Sequence, residues 1–318
     1  MPWLMRPAAA LAWIGRQGTR AVAVSLLAGL ALPWLAALMK PAFTPSVLVL
    51  LCLAFLRVDP GALRRRFARP GLVIAAAAWM MVATPIACGL ALSVLGLERG
   101  LLVALLFQAA APPVVASSAL AALMGLDAAL ALAVLTACAV ATPVTAAAFA
   151  ALFLGSAMDL SPLALGLRLF AMLAGAAGLA ALLRRAAGQS WIERQSERID
   201  GLSVIALFCF AVAVMDGVVA QTLARPQVVL GLLALAFATS LGLGLATAAV
   251  FWRAGRTAAL TLALSAGLRN LGVMVAGAGG GVPALTWLYI AMVQFPVYLL
   301  PYLLKPLLGR FGGNRLSP

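Results

Sequence analysis

The sequence predicts an all-α integral membrane protein, and three observations carry that reading. Of its 318 residues 65% are hydrophobic and only 9% charged, more apolar surface than a soluble core of this length can bury. The apolar residues fall into ten runs of about 17–29 residues, each long enough to cross roughly 30 Å of hydrocarbon as a helix. The 22 Lys and Arg residues, which give a formal charge of +14, lie mostly in the short gaps between those runs. That placement is explained by membrane topology, so the partner expected is the lipid bilayer and not nucleic acid.

Taken in order, the predicted helices cover about 18–38, 42–58, 70–95, 99–123, 127–155, 161–183, 200–222, 227–251, 257–278 and 284–308. Residues 1–20 carry three arginines and no small-residue cleavage site, and read as a tail leading into an uncleaved first helix. Asp127 stands where an N-cap for the fifth helix is needed. The glycine-rich stretch 277–283 lacks the Lys-Ser/Thr ending of a phosphate loop and reads as a turn. Gln294, with Pro296 and Pro301 in the tenth helix, reads as a packing residue, with a hydrogen bond to a neighbouring helix or a place at the site as the other readings. With the N-terminus inside, seventeen Lys and Arg face the cytoplasm, against Lys40, Arg99 and Arg225 outside. The expected placement is therefore a cell inner membrane, crossed many times, with both termini cytoplasmic.

The chain also divides into halves, 1–155 and 156–318. Arg69 and Pro70 open the third helix as Arg225 and Pro226 open the eighth, an offset of 156 residues. The same offset carries Pro112 and Pro113 onto Leu268 and Arg269. A repeat of five helices, being odd, inserts its second copy upside down, the plan of many secondary transporters.

Two interruptions fall at matching positions. Pro112 and Pro113 remove two backbone donors near the middle of the fourth helix, with Ser117 and Ser118 about a turn later. In the ninth helix Arg269 and Asn270 sit amid an apolar segment, flanked by Gly267 and Gly272. A cation at that depth costs at least about 2.5–3.5 kcal/mol unless it faces protein or water. Broken helices crossing there would turn positive dipole ends toward an anion. Two readings of Arg269 stand open: a tethered cation bonded to carbonyls and hydroxyls of both broken helices, or a fork for the carboxylate, sulfonate or phosphate of a substrate.

Asp216 and Arg168 are the other charges within spans, and they are expected to pair. Asp216 is also the candidate coupling group, able to balance Arg269 or to take up a proton. Cys52, Cys88, Cys138 and Cys209 are scattered through the spans and read as small hydrophobes. Histidine is absent, and no metal-ligand spacing or carboxylate pair occurs. No metal, cofactor or enzymatic activity is expected.

The run Ala110-Ala111-Pro112-Pro113-Val114-Val115-Ala116-Ser117-Ser118 resembles the helix 4 run Cys-Cys-Pro-Gly-Gly-Thr-Ala-Ser-Asn of the bile acid:sodium symporter family. Ser265-Ala-Gly-Leu-Arg-Asn-Leu-Gly272 is similar to that family's helix 9 run Glu-Val-Gly-Met-Gln-Asn-Ser-Gly, and Pro85 stands at its helix 3 proline. The resemblance implies ten helices, with helices 3–5 and 8–10 forming a core domain and helices 1, 2, 6 and 7 a panel. It implies a substrate site built from Pro112, Pro113, Ser117, Ser118, Ser265, Arg269 and Asn270. The substrate class it suggests is a small organic anion or amphipathic acid, carried by alternating access. The family holds two sodium ions with oxygen-bearing side chains, whereas the corresponding places here are Ser265, Arg269, Ser117 with Ser118, Ala131 with Leu135, and Met80. Such a set does not suit sodium, which wants several oxygens and no fixed positive charge beside it, so sodium coupling is expected to be lost. The alternatives are a non-transporting receptor or sensor on the same fold, and an efflux carrier resembling arsenite carriers.

Overall fold

Proline and glycine punctuation decides where the helices of this chain begin, bend and stop. The computed structural model describes residues 18–58, 61, 70–155 and 160–309. The predicted tail up to residue 17 and the arginines at 64–66, 69, 310 and 315 lie outside the described residues. Among those described, the elements are helices and no strand occurs. Seven stretches are long and apolar enough to cross a membrane: Pro33–Arg57, Gly71–Ser93, Ala128–Leu154, Pro162–Ala187, Ser196–Ala224, Pro226–Ala254 and Ala284–Lys305.

The three remaining predicted spans are interrupted. The first divides into α1 (Gly18–Ala31) and α2 (Pro33–Met39). Leu32, held at φ −125° and ψ 73°, is pushed out of the helical region by the proline after it. The joint expected near residue 40 is instead a 3-10 turn, Lys40–Ala42, through which the helix runs on into α3 (Phe43–Arg57). The fourth span divides into α6 (Arg99–Ala110) and α7 (Ser117–Leu123), and the ninth into α14 (Arg256–Gly267) and α15 (Leu271–Gly277).

The other elements are continuous or nearly so. The third span is α4 (Gly71–Ala78) and α5 (Thr84–Ser93), joined by a π-helical turn, Trp79–Ala83. Ala128–Phe149 forms α8 and ends in a second π turn, Ala150–Leu154. Then come α9 (Pro162–Ala187), the short α10 (Gln189–Arg194), α11 (Ser196–Val214), α12 (Val218–Ala224), α13 (Pro226–Phe251) and α16 (Ala284–Gly309). Asp127 caps α8 as expected, its carboxylate accepting from the Leu130 amide at 2.8 Å.

The chain folds as two compact units: Met1–Val58 with Ala171–Val229, and Asp59–Phe170 with Leu230–Pro318. In the first, α11 packs against α1, α2 and α3, with Phe43 and Phe210 in ring contact at 5.2 Å. Gly29 permits a close approach, since a Cβ there would lie 2.9 Å from the Met215 Cβ. Arg184 closes the C-terminus of α3, where the last carbonyls have no helical partner. Its Nη2 donates to the carbonyls of Phe55, Leu56 and Val58, each at 2.9 Å. Arg57 pairs with Asp200 beside it. Replacing Arg184 by Ala is expected to cost about 1–2 kcal/mol, visible as a lower apparent melting temperature in detergent, whereas Arg185→Ala, an exposed neighbour, should leave it unchanged.

In the second unit α4 with the π turn after it, α8 and α14 share a hydrophobic core of Val73, Met80, Leu130, Val134, Leu262 and Ala266. Helices α13 and α14 meet backbone to backbone. A Cβ on Gly267 would stand 2.7 Å from the Ser240 carbonyl oxygen, and one on Gly244 would stand 3.2 Å from that of Ala263. Small residues four apart on both helices make this approach possible, as between membrane helices generally. Gly267 therefore belongs to a helix contact and not only to the weakening of the ninth span.

Candidate functional site

The two broken helices meet at their breaks. Ala111, ahead of the two prolines, is extended at φ −67° and ψ 145°, and Leu268 leaves α14 at φ −105° and ψ 92°. Pro113 and Arg269 form an antiparallel bridge. Val114 donates to the Leu268 carbonyl and Asn270 to that of Pro112, both at 2.8 Å. The bridge joins the two residues that the 156-residue offset makes equivalent.

Each interruption frees a carbonyl, and three freed carbonyls converge on one side chain. The first is that of Ala266. In a continuing helix it would accept from the Asn270 amide, which is diverted to Pro112. The second is that of Ala111, stranded where α6 stops before the prolines. The third belongs to Met80: the π turn sends the Thr84 amide to Trp79, and Pro85, the next candidate donor, has no N–H. Arg269 answers all three. Its Nε donates to Ala266 O at 2.8 Å, and its Nη1 to Ala111 O at 2.8 Å and Met80 O at 3.3 Å. Its Nη2 points to Thr84 Oγ1 at 3.4 Å, and that hydroxyl itself donates to Met80 O at 2.9 Å.

Arg269 is 1% exposed, and every one of these partners is neutral. The charge is solvated by oxygens, yet no carboxylate among them cancels it. Its potential extends through a low-dielectric surround, where a carboxylate about 6 Å away gains roughly 3 kcal/mol at an effective dielectric of 20.

The other predicted residues distribute unevenly. Pro112 and Pro113 are buried walls of the bridge. Ser117 is fully buried and its hydroxyl has no hydrogen-bond partner among the described residues. Ser118 and Asn270 are half-buried, and the Asn270 side chain makes no cap to α15. Ser265 is buried and its hydroxyl serves its own helix, donating to Thr261 O at 3.0 Å.

Asp216 does not take the partner expected of it. It pairs with Lys40 at 2.8 Å, because the helix stops at Met215 and Gly217 turns the chain at φ 78°, moving the carboxylate off the line of a continuous span. Arg168 is exposed, with Nη1 lying where a side chain on Gly279 would be. Gln294 bonds Ile290 O of its own helix at 3.0 Å. The four cysteines are free thiols.

Sequence reasoning missed a buried polar cluster behind α6. Tyr289 of α16 donates to Gln108 Oε1, Thr239 of α13 lies 2.9 Å from the Tyr289 hydroxyl, and Gln108 Nε2 reaches Ser240 at 3.4 Å. Gln108, one turn before the break, was the available signal: a polar amide within an apolar span needs a partner.

No protein-family model and no curated protein sequence matches this chain.

Proposed function

We propose that this protein is a secondary transporter that carries a small organic anion across a membrane by alternating access, with its substrate seat at the crossing of α6–α7 and α14–α15. The observation that carries the reading is the crossing itself: two interrupted helices bridged through backbone, holding a buried arginine with no counter-charge among its partners. Broken helices at mid-membrane are the recurring seat of substrates in such carriers, and a fixed uncancelled cation favours an anion.

Ser117, Ser118 and Asn270 are the hydroxyls and amide available to an anion at this level, with Pro112 and Pro113 as wall. Arg269 acts through its field, because its nitrogens already have protein acceptors. The same occupancy supports sodium-independent transport, with the guanidinium standing as the site's own cation. Asp216, ion-paired to Lys40, is replaced by the membrane potential or the substrate gradient as the source of drive.

The wider plan of the bile acid:sodium symporter family is adopted with this reading: ten helices, an inverted five-helix repeat, an inner-membrane location and cytoplasmic termini. Near-equal offsets support the repeat, since α8 begins at Ala128 and α16 at Ala284, 156 residues apart, while α6 ends at Ala110 and α14 at Gly267, 157 apart. The division into two units supports the panel-and-core plan in part: one holds the first, second and seventh predicted helices and the other the third to fifth and nearly all of the eighth to tenth, while the sixth is divided between them at Phe170.

The test is flux of radiolabelled aliphatic and steroidal carboxylates and sulfonates into liposomes holding the purified protein, in sodium and in choline buffers. Equal initial rates within about twofold are expected. A strict sodium requirement would overturn the ion independence, and binding without flux would replace the carrier with a sensor.

A further inference from the structure

The shell around Arg269 is a set of converging oxygen acceptors. It is made by three separate defects in three helices: the π turn before Pro85, the stop before Pro112, and the end of α14. Each defect exposes a carbonyl that no backbone amide reaches, and all three oxygens, with Thr84 Oγ1, lie within 2.8–3.4 Å of one guanidinium. Buried carbonyls without donors are unstable, so the shell demands a hydrogen-bond donor whether or not that donor is covalently attached. Hard oxygen ligands with no anionic member select a singly charged, weakly hydrated cation, and a planar fork matches acceptors spread over three helices better than a point charge does.

We infer that Arg269 is a tethered ligand, and that the oxygens of Met80, Ala111 and Ala266 with the Thr84 hydroxyl form a guanidinium-binding cage that accepts a free alkylguanidinium when the tether is removed. The occupant is a small monovalent guanidinium or amidinium cation. The inference rests on the hydrogen-bond geometry and does not require that the protein transport anything.

Arg269→Ala deletes the atoms that ethylguanidinium supplies. Purified wild type and Arg269→Ala would be melted in detergent with ethylguanidinium from about 1 to 20 mM, with neutral N-ethylurea as the shape-matched control. For the variant the expected result is a saturable rise in apparent melting temperature of at least about 3 °C with ethylguanidinium. N-ethylurea should give no rise, and neither compound should move the wild type. An equal response to ethylurea, an equal response of the wild type, or no response of the folded variant overturns the inference. Should Arg269→Ala fail to fold, Arg269→Lys and Arg269→Met decide it. The cage requires the Lys variant to melt higher, and a Met variant as stable as Lys would show that the shell has no need of a cation.

Discussion

Arg269→Met is expected to destabilise the protein by about 3–5 kcal/mol, a fall of roughly 10 °C in the apparent melting temperature of the purified protein. Methionine nearly matches arginine in reach and is cheap to bury, and replacing a buried charge with an apolar side chain is often neutral or favourable when its partner is replaced too. Here the partners are backbone carbonyls and stay. Ala266 O and Ala111 O would each lose the donor that now sits at 2.8 Å, while Met80 O would keep the Thr84 hydroxyl at 2.9 Å, and each stranded buried acceptor costs about 1–3 kcal/mol. Relief from desolvating the guanidinium offsets part of that sum, which places the estimate near the middle of the range. Ser265→Ala is the control. Its hydroxyl bonds only its own helix, so a change within about 0.5 kcal/mol is expected. A Met variant melting with the wild type would show that the freed carbonyls find other donors.

The residues that make the crossing were visible in the sequence because their cost is local. Two adjacent prolines cannot sit in an unbroken helix, and an arginine amid apolar residues must be solvated by protein, so positions 112, 113 and 269 announce themselves without knowledge of any neighbour. The third contributor did not. The π turn at Trp79–Ala83 shifts hydrogen bonding by one residue inside a uniformly apolar run, and only Pro85 hints at it. That Met80 matters through its carbonyl and not its side chain lies beyond what residue type can reveal.

Azimuth was lost in the same way. The sequence placed Asp216 and Arg168 within spans and so suggested a pair, but position along a helix says nothing of direction. The turn at Gly217 sends the carboxylate to Lys40. The first span failed for a related reason: hydropathy runs smoothly across Leu32 and is interrupted at Lys40, whereas the backbone breaks at the former and continues through the latter. Hydrophobic runs report burial in lipid, and proline geometry then decides where the helix is cut.

Gly267→Ala is expected to cost about 2–3 kcal/mol, and Gly277→Ala less than about 1 kcal/mol, although the added methyl meets a closer atom in the second case. At Gly277 the atoms met are Leu169 Cδ2 at 2.5 Å and Cγ at 2.8 Å, part of a side chain that can shift by small torsional changes where a helix backbone cannot. At Gly267 the atom met is the Ser240 carbonyl oxygen at 2.7 Å, part of a helix backbone. Ser240 cannot retreat without separating α13 from α14, which are also close at Gly244, where a Cβ would stand 3.2 Å from the Ala263 carbonyl oxygen. Alanine also gains about 0.5–1 kcal/mol over glycine in helix propensity, which is too small to reverse the sign. The displacement should reach the arginine, because Ala266, whose carbonyl holds Nε at 2.8 Å, is the residue before Gly267. A double-mutant cycle reads this directly. Melting Gly267→Ala, Arg269→Met and the double variant should show a loss in the double smaller than the sum of the singles by at least about 1 kcal/mol, since a carbonyl already pushed away has less donor to lose. Strict additivity would mean that the α13–α14 contact and the guanidinium cage are mechanically separate, and that the glycine serves packing alone.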